Sequence, residues 1–155
     1  CTGLFAAMDA DLGGSWRDYV GSEPDGALLR TMRVVVPETT NRTTPRETTT
    51  LLSALWRDDG FPPSACAEAR RILGLQAWPH RLGSGFPEAT TRLSGKTGTL
   101  AFLRSEAGVV ETAEGRRIAV AVFTSSTSSA ARNPAADAAI GAIARRAADL
   151  LSVPD

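Results

Sequence analysis

Lysine, histidine and cysteine are scarce in this chain of 155 residues, and neither sign of charge is in excess. Seventeen basic residues balance 17 acidic ones, so the composition offers no basic surface for nucleic acid. Two cysteines are too few for a disulfide scaffold, and with the single histidine, His80, they argue against a zinc site. No apolar run approaches the roughly 20 residues of a membrane-spanning helix. The sequence therefore predicts no metal, no cofactor, no nucleic-acid partner and no membrane span.

The rest of the composition is average for a globular domain, with 43% hydrophobic and 22% charged residues. The length suits one domain, so we expect a single globular unit over residues 1–155. The chain starts at Cys1 and has no charged and apolar leader pattern, which suggests a processed product or a fragment. A leading cysteine is also compatible with an N-terminal nucleophile that uses its own α-amine as base, or with a lipid-modified terminus.

Helical patterns dominate the first half of the chain. Residues 2–12 carry apolar side chains at helical spacing, and a short helix is predicted over 27–33. Thr44-Pro45-Arg46-Glu47 combines a capping box with a proline at the first helical position, which predicts a helix ending near Gly60. Ser64 is predicted to cap a further helix that ends near Gly74 and carries Cys66 in its core-facing stripe.

The pattern changes to strands from residue 89. Strands are predicted over 89–100, 108–112 and 117–124, with a tight turn at 113–116 that contains Gly115. Asn133-Pro134 predicts the start of the last helix. The fold class predicted from this order is α+β, an antiparallel sheet flanked by helices.

The one lysine, Lys96, lies in the segment Ser94-Gly95-Lys96-Thr97-Gly98-Thr99. A phosphate-binding loop would need glycine at position 90, which is Thr90, and a helix after the lysine, where the pattern predicts a strand. The alternative is the Lys-Thr-Gly element of penicillin-recognising serine hydrolases. On a strand edge its ammonium would attract a substrate carboxylate, its threonine would hydrogen-bond that carboxylate, and its glycine would let substrate approach.

The surroundings of Lys96 resemble the β-lactamase and penicillin-binding-protein superfamily of serine hydrolases, in particular its class A and actinobacterial members. The resemblance covers residues 39–151 and includes Asn41 to Glu47, Trp78 to Leu82, Gly85-Phe86-Pro87, Lys96 to Leu100 and the Ala-rich last helix. It implies layers of helices about an antiparallel sheet. It also implies acyl transfer from a β-lactam or a related amide to serine, followed by hydrolysis, in a secreted or cell-envelope bacterial protein.

The resemblance assigns roles to four consecutive residues. Lys96 and Thr97 would hold the substrate carboxylate, and Gly98 would give clearance. The backbone N–H of Thr99 would be one donor of the oxyanion hole, so the catalytic residues are Lys96 and Thr99. Arg104, on the next strand, is a further candidate for binding an anionic substrate.

Two family motifs are absent from these residues. With one lysine, Ser-x-x-Lys would require serine at position 93, which is Leu93, and there is no Ser-Asp-Asn triplet. Glu38 has the wrong spacing for the deacylating acid, so a D,D-peptidase, esterase or biosynthetic hydrolase also fits. The implied interpretation is the C-terminal part of such a hydrolase, its N-terminal half missing or on another chain.

Two other functions compete with that interpretation. The same fold without a nucleophile would be a non-catalytic module that binds carboxylates, and Cys1 could act as an N-terminal nucleophile. By count a Ser-His-Asp triad with His80 is also compatible, although Trp78 and Leu82 favour a packed loop there.

Overall fold

The computed structural model describes residues 2–15, 30–36, 38, 42–100, 102–127, 130 and 132–151. Its contacts divide the chain into two compact units, residues 1–43 and 44–155, which are described separately. The expectation of one globular unit stays a prediction. Cys1 lies outside the described residues, and no helix among those described is long and apolar enough to cross a membrane.

The first unit contains the helix α1 (Thr2–Leu12) and a 3-10 turn at Arg33–Val35, which contact each other. Met8, Met32 and Val34 are buried in it. Arg33 donates to the carboxylate of Asp11 from its backbone N and from Nε, each at 2.7 Å, and these bonds lower the pKa of Asp11. The helix predicted over 27–33 lies partly outside the described residues.

The second unit begins with helix α2 (Pro45–Arg57), whose predicted capping box is confirmed. Thr44 Oγ1 accepts a hydrogen bond from Glu47 N at 3.1 Å, and Glu47 Oε2 accepts one from Thr44 N at 2.8 Å. Each bond satisfies a backbone donor that the helix itself leaves without a partner.

Helix α3 (Pro63–Leu73) follows and ends at Gly74 as predicted. The prediction of Ser64 as its cap is wrong, because Pro63 occupies the first helical position, which its fixed φ suits, and Pro62 precedes it. Cys66 is buried as expected, and desolvation raises the pKa of its thiol.

Three antiparallel strands form the sheet in the order β1 (Arg92–Leu100), β2 (Leu103–Glu111) and β3 (Arg117–Ser125). The turn before β3 is the one predicted, with Gly115 at φ 78°. Strand β2 begins five residues earlier than predicted, at Leu103 rather than at residue 108. Its first half is polar, so only the pairing with β1 reveals it as a strand.

Helices cover both faces of this sheet. Helix α4 (Pro134–Leu150) and a 3-10 helix at Leu82–Gly85 cover one face, while α2 contacts β2 and β3 from the other and α3 contacts β1. The core on the α4 face is formed by apolar side chains: Leu82, Val110, Ile118, Val120, Val122, Ile140, Ala144 and Ala148. The predicted α+β class is therefore confirmed.

The 3-10 helix and α4 meet at backbone contact. A Cβ added to Gly85 would lie 2.1 Å from the carbonyl oxygen of Gly141, and one added to Gly141 would lie 2.7 Å from that of Arg81. Because neither position has room for a side chain, the segment that carries Arg81 is held firmly against α4 and the sheet.

Candidate active site

Lys96, Thr97, Gly98 and Thr99 lie in the second half of β1, at an edge of the described sheet. Successive side chains of a strand point to opposite faces, so Thr97 and Thr99 share the α4 face and Lys96 and Gly98 the other. Directly across from Thr97 and Thr99 on β2 lie Glu106 and Arg104. Lys96 is exposed, and its Nζ donates to the carbonyl oxygen of Thr97 at 2.6 Å.

The pairing register determines where the backbone groups of β1 point. Leu100 pairs with Leu103 across a two-residue turn, which makes them a hydrogen-bonded pair, and hydrogen-bonded pairs alternate along an antiparallel ladder. The N–H and C=O groups of Thr99, Thr97 and Gly95 therefore point away from β2. The carbonyl oxygen of Gly95 does accept a bond from Gln76 Nε2 at 3.2 Å, from outside the sheet. A ligand along this edge would thus meet the backbone N–H of Thr99.

Gly98 has more space around it than Gly95, the other glycine of β1. A Cβ added there would meet only Ser105 Cβ, at 3.7 Å, which is an ordinary contact. Folding of β1 therefore does not require glycine at this position, whereas close approach of a ligand to the strand would.

Arg81 joins β1, β2 and α4 through one buried guanidinium that is 5% exposed. Its Nε donates to Asp137 Oδ1 at 2.6 Å, and its Nη2 donates to Thr99 Oγ1 at 2.7 Å. Its Nη1 donates to the carbonyl oxygens of Gly98 and Ser105, each at 2.9 Å. These bonds fix the end of β1 and the hydroxyl of Thr99 in place.

Helix α4 presents Asp137 to Arg81 through its first turn. Asn133 accepts a hydrogen bond from Ala136 N at 3.1 Å and so caps the helix. The second carboxylate oxygen of Asp137 lies 3.5 Å from His80 Nε2. His80 in turn makes an edge contact with the Trp78 ring, at 5.6 Å between centroids. The prediction that this loop is packed is confirmed for Leu82, which is buried. It is wrong for Trp78, which is 63% exposed.

A cavity of about 610 Å³ lies against these groups. Both threonines of the motif contribute to its wall, together with Trp78, His80, Arg81, Ser84, Arg132, Pro134, Asp137 and Ala138. Lys96 does not line this cavity, since it faces the other side of the sheet. The two threonine side chains and the ammonium therefore lie on opposite faces of β1.

Glu106 is a fully buried carboxyl directly opposite Thr97. Its Oε2 accepts a hydrogen bond from Leu82 N at 2.7 Å, whereas its Oε1 has no partner among the described residues. Burial raises the pKa of Glu106, and the bond from Leu82 and the positive charge of Arg81 partly oppose that rise.

Arg104, the further candidate for substrate binding, is 2% exposed. Its guanidinium donates to the carbonyl oxygens of Leu103, at 2.9 Å, and of Ala130. Contact between Arg104 and a substrate stays a prediction, as do the roles of Lys96, Thr97, Gly98 and Thr99.

Sequence reasoning missed the roles of three site residues: Arg81, Asp137 and Glu106. Arg81 and Asp137 are 56 residues apart, and no local pattern links them. Two sequence signals pointed to a role for these residues. Arg81 precedes an apolar residue, Leu82, and Glu106 is a charged residue in a segment that ends in apolar residues. No group of three or more histidine, cysteine or acidic residues able to hold a metal occurs in the described part of the chain.

Comparison with known proteins gives consistent matches. A model described as the beta-lactamase enzyme family matches residues 19–151. The beta-lactamase regulatory protein BlaB of Streptomyces cacaoi is 38% identical over 122 residues, which are 72% of this chain and 39% of BlaB. The chain thus spans well under half the length of this relative.

Solved structures agree on the fold. A beta-lactamase from Sphaerobacter thermophilus is 31% identical with a TM-score of 0.62, over 77% of this chain and 45% of that one. A variant of the extended-spectrum beta-lactamase TLA-1 is 21% identical with a TM-score of 0.66, over 82% and 47%. The second of these shows likeness of fold alone.

Proposed function

This chain belongs to the beta-lactamase enzyme family, and on that basis we propose that its strand β1 supplies the substrate-binding half of a β-lactamase-like serine hydrolase. The observation that carries the proposal is the edge of β1. The register turns the N–H of Thr99 outward at this edge, Thr97 and Thr99 line the cavity, and the ammonium of Lys96 lies at the carbonyl oxygen of Thr97. The substrate is a β-lactam or a peptide-like amide that bears a carboxylate.

The proposed reaction is acyl transfer followed by hydrolysis. A serine hydroxyl adds to the amide carbonyl, the C–N bond breaks, and the nitrogen takes up a proton. Water then cleaves the acyl ester and restores the serine. In this proposal the serine comes from outside these 155 residues, because their single lysine leaves no Ser-x-x-Lys motif.

Each residue of β1 has a defined part in that reaction. Lys96 and Thr97 bind the substrate carboxylate by charge-assisted hydrogen bonds. The N–H of Thr99 stabilises the negative charge that develops on the carbonyl oxygen, and one such donor contributes about 3 kcal/mol in other enzymes. Gly98 leaves room for the substrate backbone. Arg81 acts as a positioning residue, since it holds the Thr99 hydroxyl and the Gly98 carbonyl.

The second candidate function is a non-catalytic module that binds the same carboxylate-bearing ligands. The name of the relative, beta-lactamase regulatory protein BlaB, favours it. Both candidates use the edge of β1, and both fit a secreted or cell-envelope location, which we propose from the family resemblance alone. They differ in whether a covalent adduct forms.

Fluorescently labelled penicillin and intact-mass measurement separate these functions when they are applied both to the 155-residue chain and to a longer form of the protein that includes the proposed serine. An adduct on a serine outside these residues supports the hydrolase, and an adduct on Cys1 supports the N-terminal nucleophile. Saturable binding without an adduct in the longer form supports the module. Absence of binding contradicts the assignment of the β1 edge.

Two variants test which residues bind the ligand. Lys96→Ala should weaken binding about 10-fold or more, since a hydrogen bond to a charged group contributes about 1.5 to 3 kcal/mol. Gly98→Ala should weaken binding with little change in stability, because its added methyl meets only an ordinary contact. The matched control is Arg146→Ala, which removes an exposed cation from α4, away from the cavity wall. Equal losses in Lys96→Ala and Arg146→Ala would contradict the assignment of Lys96 to carboxylate binding.

A further inference from the structure

A second cavity, of about 760 Å³, lies at the opposite end of the sheet from Gly98 and Thr99. We call it the arginine cavity, because four arginines line it: Arg70, Arg71, Arg92 and Arg117. The rest of its wall is formed by Trp56, Asp58, Ala67, Gly74, Leu93, Ser94 and Glu111. It belongs wholly to the second unit, between the sheet end and helices α2 and α3.

The strand register lines up three of these charges across the sheet. Arg92 pairs with Glu111 on β2, and Glu111 pairs with Arg117 on β3. Residues directly opposite each other project from the same face, so the three side chains form one row. Adjacent strands are about 4.8 Å apart, which places the two arginines about 10 Å from each other at their backbones.

The single acid in this row is already engaged on the side away from Arg92. Its Oε1 accepts a bond from Trp56 Nε1 at 3.3 Å, and its Oε2 lies 3.6 Å from Arg117 Nε. Arg92 makes no ion pair with a carboxylate among the described residues, and it is exposed on the cavity wall. One guanidinium of the row is therefore available to an anion.

Helix α3 adds two guanidiniums from across the cavity. Arg70 Nη1 donates to Asp58 Oδ1 at 2.7 Å and to the carbonyl oxygen of Leu55, which orients it. Arg71 forms two bonds of 2.8 Å with Glu68, whose carboxylate is not part of the wall. Three of the four arginines thus each pair with one acid, and Arg92 is the arginine without such a pair among the described residues. Counted with Glu68, the cavity carries an excess of one positive charge.

From this juxtaposition we infer that the arginine cavity binds a short linear oligophosphate. Guanidinium groups bind phosphate oxygens in pairs through their fixed fork of donors. A single phosphate reaches one guanidinium or two neighbouring ones, whereas a chain of phosphates can contact groups on α3 and on the strand ends together. The phosphate chain can be free or the tail of a nucleotide. The cavity is separate from the Lys96 motif, and the inference does not depend on the proposed hydrolase.

Titration calorimetry of the 155-residue chain with sodium tripolyphosphate, in buffer of low ionic strength, measures this binding directly. Low salt is needed because the four guanidiniums are partly exposed and screened by ions. We expect tripolyphosphate to bind about 10-fold more tightly than inorganic monophosphate, as expected when a further charge-assisted contact forms. Equal affinity for the two, or no binding, would overturn the inference.

Arginine variants localise the site. Arg92→Gln and Arg117→Gln should each weaken tripolyphosphate binding about 10-fold. Arg146→Gln removes the same charge from α4, on the opposite side of the sheet, and should leave the affinity within about twofold. Circular dichroism establishes that each variant is folded. Equal losses in all three variants would mean attraction by overall charge only and would contradict a defined site.

The indole of Trp56 provides a readout that does not depend on a variant's stability. Its N–H bonds to Glu111 inside the cavity wall, whereas Trp78 lines the other cavity. In nitrogen–proton spectra, with the indole signals assigned from Trp56→Phe and Trp78→Phe, tripolyphosphate should shift Trp56 and leave Trp78 in place. A shift of Trp78 alone would contradict the site.

A parallel titration with adenosine triphosphate separates the two sources of the phosphate chain. Affinity that exceeds that of tripolyphosphate indicates a nucleotide, with the base near Trp56, and equal affinity indicates a free oligophosphate. Both outcomes support the cavity as an oligophosphate site. If adenosine triphosphate binds but Arg92→Gln leaves its affinity unchanged, the inference fails.

Discussion

The guanidinium of Arg81 shows how much one side chain contributes when it is buried and makes four hydrogen bonds. It is almost inaccessible to water and has four hydrogen-bond acceptors on three elements. A buried charge is tolerated only when such partners replace its hydration. The arrangement stabilises the end of β1 and orients Thr99 at the same time.

We therefore expect Arg81→Met to destabilise the protein by about 3 to 5 kcal/mol, because it leaves the Asp137 carboxylate without its cation in a half-buried place. The exposed pair of Arg71 and Glu68 is the control, and Arg71→Met should cost about 0 to 1 kcal/mol. Urea unfolding followed by circular dichroism measures both. Similar losses in the two variants would contradict the distinction between the buried and the exposed pair.

The burial of Glu106 makes stability depend on pH in the opposite direction from a salt-bridged acid. Its contribution to stability decreases as the pH rises. Burial raises its pKa in the folded state, so folding favours the neutral carboxyl. The unfolded chain releases this proton near pH 4.5, whereas the folded protein releases it only at higher pH. The contribution of Glu106 to the free energy of unfolding therefore falls as the pH rises from 4.5 through the folded-state pKa.

Glu106→Gln removes that titration and keeps an acceptor for Leu82 N. Its stability relative to the natural chain should therefore improve as the pH rises from about 4.5 through the folded-state pKa of Glu106. Unfolding free energies of both chains at a series of pH values measure this difference, in which contributions common to both chains cancel. A difference that does not change with pH would show that Glu106 does not titrate in this range.

At the scale of secondary-structure elements, the paired strands β1 and β2 leave no room for a side chain at Gly108, opposite Gly95. A Cβ added to Gly108 would lie 2.6 Å from the carbonyl oxygen of Ser94 and 2.8 Å from the Cα of Gly95. Both obstacles are backbone, so neither can rotate aside. The strands hold their spacing only because both positions are glycine.

Gly108→Ala should accordingly destabilise the protein by about 1 to 3 kcal/mol, the usual cost of overpacking. Gly98→Ala, on the strand that pairs with it, serves as the control and should change stability by less than about 1 kcal/mol, since its methyl group has space. Thermal and urea unfolding of the two variants provide the comparison. If Gly108→Ala is as stable as the natural chain, β1 and β2 are not held at the described spacing.

At the scale of the whole molecule, equal numbers of acidic and basic residues conceal an uneven distribution. The sheet of the second unit has a candidate carboxylate site at one end of β1 and a cluster of arginines at the other. Net charge alone excluded a nucleic-acid surface, yet it could not reveal this local excess. The chain spans less than half the length of the relatives described above, and the proposed hydrolase takes its nucleophile from outside these residues.

Much of the fold could be predicted because its signals are local. The capping box of Thr44 and Glu47, the hairpin glycine at Gly115 and the helix start at Asn133-Pro134 act within a few residues. The Lys96 motif was predicted as a strand for the same reason. Ser64 was misassigned as a cap because two prolines, at 62 and 63, place the helix start two residues earlier.

By itself, then, the amino-acid sequence determined helices α1 to α4, the turn between β2 and β3 and the strand that carries Lys96, since these depend on the preferences of neighbouring residues. Only the tertiary structure decided that Arg81 reaches Asp137 and Thr99, that Glu106 is buried, and that Arg92 and Arg117 lie on either side of Glu111. Such contacts join residues that are far apart in the chain. They depend on the packing of the elements and on the register of the strands, and no short segment of sequence encodes either.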